Sequence, residues 1–254
     1  MAKAYLKYRI KAQKRHGVHS PFVYDLSEEV IHKSGAINSD AIEGLRKDLT
    51  RDSSRIKIKD HGAGSRINRE SERSISEIAK VSASPKKIGQ LLQRLASYLH
   101  LENILELGTN LGLTTAYLAS SYHSKVWSLE GDPTLASLAV KNLQKVGLKG
   151  EIIVGRFEDT LDLTLDQIEK VELAYLDGNH QKKPTIEYFE KILPFTNTES
   201  VIAIGDIHWS QDMEEAWEEI KEHSAVSLTI DLFDIGLVFF RTDRAEKEHF
   251  TIRL

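Results

Sequence analysis

The chain has 254 residues, of which 41% are hydrophobic and 28% charged, with a formal net charge of −4 and no cysteine. That balance belongs to an ordinary folded protein of one large domain, or one domain with an appendage, and the missing thiols exclude disulfides, thiolate nucleophiles and cysteine-ligated zinc. The first residues lack an apolar core of leader length and no run approaches ~18 apolar residues, so a cytoplasmic protein without a membrane span is expected.

The charge is unevenly placed. Residues 1–74 hold 16 Lys and Arg against 10 Asp and Glu, whereas the remainder holds 18 against 28. Two roles follow: a basic helical extension with a lid-like loop over residues 1–75, and a main domain over 76–254.

The extension begins "KAYLKYRIKAQKR", where Lys3, Lys7, Arg9, Lys11, Lys14 and Arg15 meet no acid. With Tyr5, Leu6, Tyr8 and Ile10 interleaved, this reads as a basic amphipathic helix. It suits nucleic acid, an anionic surface or an acidic partner through residues 1–20. Equally, it suits a solvated helix that packs its tyrosines on the domain or on the second subunit of a homodimer. "DHGAGSRINRESERS" is polar and glycine-bearing, which predicts a loop or lid whose His61, Ser65 and Arg66 could close over a ligand. "SPKKIGQLLQRLASYL" follows, with Ile88, Leu91, Leu92, Leu95 and Leu99 on one helical face, Ser84 as its cap and Pro85 in its first turn.

From Glu102 the period alternates. Strands read at "NILELG", "KVWSLEG", "EIIVG", "VELAYLDG" and "VIAIGDI", with helices over Leu113–Tyr122, Pro133–Val146, Thr185–Leu193 and Met213–His223. Such alternation implies crossover units and a parallel sheet covered on both faces. "VSLTIDLF" and "IGLVFFR" are then too close for a crossover and must form an antiparallel pair. An α/β, Rossmann-like sheet of seven strands with one reversed is the expected fold.

The turn after the first of these strands reads Glu106-Leu-Gly108-Thr-Asn-Leu-Gly112. A dinucleotide fingerprint spaces its glycines as G-x-G-x-x-G and admits a pyrophosphate. Here an acid precedes the first glycine and the next glycine comes four later, an arrangement suited to a cationic ligand. Glu130 ends the second strand, where both NAD and S-adenosylmethionine sites place a ribose acceptor, so alone it does not discriminate. Phe157 and Glu158 follow the third strand, near where an adenine would lie.

Together these features resemble the class I S-adenosylmethionine-dependent methyltransferases, over about Ser84 to the C-terminus. The nearest likeness is to small-molecule O-methyltransferases of catechol and caffeoyl-CoA type, and to bacterial relatives with D-G-x-H after the fourth strand. The resemblance implies strand order 3-2-1-4-5-7-6 and methyl transfer to a small-molecule hydroxyl. Carried onto this chain, it places Glu106, Gly108 and Gly112 under the methionine part, lined by Thr109 and Thr114. Glu130 would take the ribose, and Phe157 and Glu158 would flank the adenine.

For the chemistry, "YLDGNH" and "GDIHWS" bring Asp177, His180, Asp206 and His208 to the ends of neighbouring strands, and Asp177 also borders the cofactor. Such a group can hold a hard divalent ion or supply a general base. The catechol-type pattern implies magnesium on one Asp after strand four and an Asp-Asn pair after strand five. This chain matches with Asp177 but carries Gly205 where the second Asp would stand and Asp206 in place of the Asn. Two routes stay open: magnesium on Asp177 and Asp206, or a metal-free route with His180 or His208 as base. Gly205 also leaves room for a non-catalytic binding module whose basic arm engages RNA or a protein. Trp217, between acidic pairs, reads as the buried face of a helix, whereas Trp209 follows the site strand and could meet an acceptor.

Overall fold

A basic helix, α1 (Ala2–Lys11), is followed by α2 (Pro21–Leu26), which runs into a π-helical turn at Ser27–Ile31. Next come α3 (Asp40–Leu49), a strand pair β1 (Arg55–Lys59) and β2 (Glu70–Ser74), then α4 (Ile75–Val81) and α5 (Lys86–Tyr98). The alternating part holds β3 (Asn103–Leu107), α6 (Leu113–Ala119), β4 (Lys125–Glu130), α7 (Pro133–Lys145), β5 (Glu151–Val154) and α8 (Phe157–Ile168). It continues through β6 (Leu173–Leu176), α9 (Lys182–Ile192), β7 (Val201–Gly205), α10 (Gln211–Glu222), β8 (Leu228–Asp231), β9 (Ile235–Phe239) and β10 (Glu248–Thr251). This computed structural model describes residues 2–12, 19–35, 39–59, 70–243 and 246–254.

Contacts divide the chain into two units, Gly35–Glu169 and the pair of segments Met1–Ser34 and Lys170–Leu254. In the first, the strands run in the order β5-β4-β3, all parallel. In the second the order is β6-β7-β9-β8-β10, with β9 antiparallel to both neighbours and β10 parallel to β8. The expected order is reproduced in its two halves, 3-2-1 and 4-5-7-6. The count is corrected: an eighth strand, β10, lies beside β8. It is short and half exposed, so its residues "EHFT" carry no apolar run to announce it.

The strands of the parallel part follow from burial on both faces, which selects continuous apolar runs. In β6 and β7 every residue is buried. The helices follow from amphipathic spacing, as in α5, where Ile88, Leu91, Leu92 and Leu95 are all buried. Ser84 does not cap this helix. Pro85 takes the position before it with no side-chain cap, while the Ser84 carbonyl accepts from Arg46 Nη2 at 3.1 Å. The sequence reading also passed over α8, whose Leu161, Leu165 and Ile168 face inward and whose Glu158 and Asp159 favour its first turn.

The stretch read as a polar loop is part strand. Glu70–Ser74 pairs antiparallel with Arg55–Lys59, placing Lys57 opposite Glu72. Opposite charges across a strand pair contribute roughly 0.2–1 kcal/mol, while the alternating Ile56 and Ile58 of β1 pack on the core. The expected lid segment around His61, Ser65 and Arg66 lies outside the described residues.

In the other unit, α1 packs through its tyrosines. The Tyr8 hydroxyl donates to the Ile252 carbonyl at 2.7 Å and accepts from the Leu254 N–H at 3.3 Å. Burial pushes its phenol up to about 12. Tyr5 meets Phe233 edge-on at 5.0 Å, while Leu6 and Ile10 on the opposite side of the helix are exposed. Among the described residues, no helix is long and apolar enough to cross a membrane.

Trp217 is buried as its spacing implied. Gly236 of β9 lies flat against it: a Cβ there would come within 2.6 Å of the indole. Gly236→Ala should therefore lower unfolding free energy by about 1–3 kcal/mol through overpacking, read as a shifted denaturation midpoint with an unchanged slope.

Candidate functional site

The turn between β3 and α6 is built from the inside. Glu106 is fully buried, and its Oε2 accepts from Thr115 Oγ1 at 2.5 Å and Ser128 Oγ at 2.6 Å. Ser128 in turn shares a 2.5 Å hydrogen bond with Thr109 Oγ1. A buried carboxylate is costly unless hydrogen-bonded, so these hydroxyls draw Glu106 inward. Through Oε2 the carboxylate ties the turn to α6 and β4, and the Thr109 hydroxyl points into the same network.

Backbone geometry completes the turn. Gly108 and Gly112 both adopt positive φ, 106° and 76°, where a side chain is strained. Gly112 has a second reason to be glycine: a Cβ would lie 3.0 Å from that of Ala139, so α7 could not approach. Gly108 and Thr109 donate their N–H groups to the Leu129 carbonyl, tying the turn to β4. Thr114 is buried in the first turn of α6.

Glu130 ends β4 beside this turn. Its Oε2 accepts from the Asn110 N–H at 2.7 Å and its Oε1 from the Asp132 N–H at 2.9 Å. Burial raises its pKa against the pull of these hydrogen bonds. Asn110, at φ 52°, also donates Nδ2 to the Ser82 carbonyl, and its buried Oδ1 meets no donor among the described residues. An orphaned acceptor beside a held carboxylate fits a ligand that brings hydroxyl or amino donors. Phe157 and Glu158 open α8, with Glu158 partnered by Arg156 at 3.4 Å.

Three contributors escaped the sequence reading. Asn110 could have been found as an αL-tolerant residue inside the glycine turn, and Ser128 as a polar residue interrupting an apolar strand. Asp132 caps α7, its Oδ1 accepting from Thr134 and Leu135 N–H groups, both at 2.8 Å. Its Oδ2 also accepts from the Lys59 N–H of β1 at 2.7 Å, which no local pattern encodes.

In the unit containing residues 170–254, the structure brings together three of the four residues expected to do chemistry. Ligand atoms of Asp177, His180 and Asp206 all lie within 4.8 Å of one another, with His180 Nε2 3.8 Å from Asp206 Oδ2. Burial raises the Asp206 pKa, His180 opposes the rise, and Asp177 and Asp234 add to it. His208 is elsewhere engaged. Its Nε2 faces Asp231 Oδ2 at 3.0 Å, its Nδ1 faces Glu214 Oε1 at 3.4 Å, and its ring stacks on Phe233 at 5.1 Å. Desolvation opposes its charged form, yet Asp231 and Glu214 together outweigh that and raise its pKa. Trp209 is 57% exposed.

Gly205, where the resemblance led to a second Asp, has a local explanation. A Cβ at this position would fall 2.7 Å from Asp177 Oδ1. The bare strand end is what lets the Asp177 carboxylate occupy its place.

Residues 105–207 match the family model described as a methyltransferase domain. A catechol O-methyltransferase of Niastella koreensis is 29% identical over 133 residues, covering 50% of this chain and 58% of that enzyme. The chain thus spans less than two thirds of that relative's length. An O-methyltransferase from Bacillus cereus, solved in complex with SAH, is 20% identical with a TM-score of 0.57, over 85% of this chain and 95% of that one. A second O-methyltransferase, from Streptomyces achromogenes in complex with SAM and involved in tomaymycin synthesis, gives 20% identity and a TM-score of 0.56. There the coverage is 90% of this chain and 99% of the other. The α/β fold of this chain is shared with these solved structures.

The buried hydroxyl network can be tested without any ligand. Ser128→Ala strips one donor from Glu106 and leaves the Thr109 hydroxyl short of a partner, so it should cost about 1–3 kcal/mol of stability in denaturant unfolding.

Proposed function

We propose that this chain is a S-adenosylmethionine-dependent methyltransferase whose acceptor is a hydroxyl oxygen of a small molecule. The observation that carries the reading is the left-handed glycine turn of β3–α6 with the Glu130 carboxylate held at the end of β4 beside it. Bound cofactor would supply an electrophilic methyl on a sulfonium sulfur.

Glu130 is prepared for a ribose. Two main-chain N–H groups fix its orientation, and an ionised carboxylate has acceptor sites left over for two hydroxyls. Donation from those hydroxyls would favour its ionised form, which burial alone disfavours. Glu106, Ser128 and Thr115 hold the turn rigid, and rigidity is most of what methyl transfer asks of a protein.

The acceptor's hydroxyl proton is assigned to the Asp177–His180–Asp206 cluster. His208 is not part of it, because both its ring nitrogens are engaged by carboxylates. As a C–O bond forms to the acceptor, the S–C bond breaks and the proton passes to the cluster, so charge balances. Asp177 and Asp206 would hold the magnesium that the resemblance implies, with waters completing its shell, and it would lower the pKa of the acceptor hydroxyl. A silent binding module is less well supported, since Gly205 makes room for Asp177 rather than marking a lost ligand.

Titration calorimetry tests the cofactor half. The parent should bind S-adenosylmethionine and not NAD, and Glu130→Ala should weaken binding by roughly 2–3 kcal/mol, the scale of charge-assisted hydrogen bonds. An unchanged dissociation constant would overturn the assignment. For the chemistry, a screen of hydroxylated acceptors with labelled cofactor should show turnover in the parent. Loss of a group handling the proton typically lowers the rate ~10²–10⁴-fold, which is the fall expected for Asp177→Asn.

A further inference from the structure

We propose that the cleft between the C-terminal turn of α7 and the starts of β4 and β5 is a second ligand site, which takes a small monoanion with an aromatic or alicyclic body. It does not depend on the preceding reading. The cleft holds about 560 Å³ and is lined by Trp127, Val140, Leu143 and Leu148, together with the exposed Lys125, Lys149 and Glu151. Small-molecule sites run from about 300 to 1,000 Å³ and are mostly apolar with a few placed polar groups. This one lies apart from the glycine turn. Lys125 begins β4 and Glu130 ends it, roughly 16 Å away at ~3.3 Å per residue, so the two sites occupy opposite ends of one strand.

Local structure builds the walls. Past the end of α7, Gly147 takes a φ of 70° and donates its N–H to the Gln144 carbonyl at 3.1 Å. The Leu148 N–H then reaches back to the Leu143 carbonyl at 3.0 Å. These two bonds make a Schellman cap, which brings the residue after the glycine against the one five before it. Leu148 thereby joins Leu143 in the wall, and the chain passes directly to Lys149. From the sheet comes Trp127, half-buried where its neighbours Val126 and Ser128 are buried, and from α7 comes Val140, 38% exposed. The charges choose the occupant. Two lysines stand against one acid, and neither ammonium has a carboxylate partner among the described residues. A ligand with one negative group can meet the lysines while its ring covers the indole and the aliphatic wall, gaining from both. A cation would face two ammonium groups, and a neutral ligand would leave them unpaired.

The test titrates the full chain with two fluorescent probes that share their rings, 1-anilinonaphthalene-8-sulfonate and the neutral N-phenyl-1-naphthylamine. One sulfonate probe per chain is expected, bound more tightly than the neutral one. Replacing both exposed lysines, Lys125→Gln with Lys149→Gln, should weaken the sulfonate about fivefold, the scale of two exposed charge contacts, and barely move the neutral probe. Val140→Asp, which puts a charge in the apolar wall, should weaken both probes by about tenfold. Denaturation midpoints show that each variant keeps its fold, and if Val140→Asp does not, the lysine variant alone decides. Saturating S-adenosylmethionine should leave the sulfonate's affinity unchanged. Absence of saturable binding, sulfonate binding indifferent to the substitutions, or its displacement by S-adenosylmethionine would overturn the site. Equal loss of both probes in the lysine variant would overturn the anionic assignment, because the lysines would then act through packing alone.

Discussion

A single buried carboxylate constrains the half of the chain that reads as cofactor-binding. Glu106 has no exposed surface, and leaving such a group unsatisfied would cost several kcal/mol. Its partners are therefore obligatory, and they come from separate elements: Thr115 from α6 and Ser128 from β4. Because Ser128 also holds Thr109, the strand, the turn and the helix are fixed against one another by three short hydrogen bonds. The left-handed glycines make the turn possible; Glu106 makes it rigid. Glu130 then inherits a defined position, since the N–H that orients it belongs to Asn110 in the same turn.

In the other unit the governing constraint is volume. Asp177 can lie where it does only because β7 ends in a residue without a Cβ. Seen that way, Gly205, Asp177, His180 and Asp206 are one design rather than a damaged version of another. His208, three residues past that glycine, is held by Asp231 and Glu214 and stacks on Phe233, which also meets Tyr5 and Tyr8. The imidazole three residues past Gly205 thus serves the packing of α1 and the β8–β9 turn, while the one in D-G-x-H lies with Asp177 and Asp206.

Much of this was legible in the sequence because the signals were periodic. Apolar runs such as "NILEL" and "VIAIG" announced strands buried on both faces, and the short connection between β8 and β9 forced an antiparallel pair. What escaped was held by long-range or charge-based contacts. In the β1–β2 hairpin only β1 alternates, through Ile56 and Ile58, while β2 reads ESERS with no apolar residue, and β10 is an edge strand too polar to stand out. At the candidate site, residue types and chain positions led to loops that do bring Asp177, His180 and Asp206 together, but did not tell where side chains aim. Glu106 is tied to hydroxyls nine and 22 residues away, His208 is turned aside by Asp231, and Ser84 lost its capping role to Pro85. Each is decided by a partner that no local window contains.

Asp132 shows how such convergence narrows what evolution can do. As a helix cap, its position would accept aspartate, asparagine, serine or threonine with small losses. Here three N–H donors arrive at one side chain, two from the start of α7 and one from Lys59 of the hairpin. Asparagine offers one acceptor oxygen, and serine or threonine a single hydroxyl. Only a carboxylate presents an oxygen to each direction at this length, so a position with a permissive local rule becomes one where the alphabet shrinks to a single letter. The hairpin and the helix must then drift together or not at all.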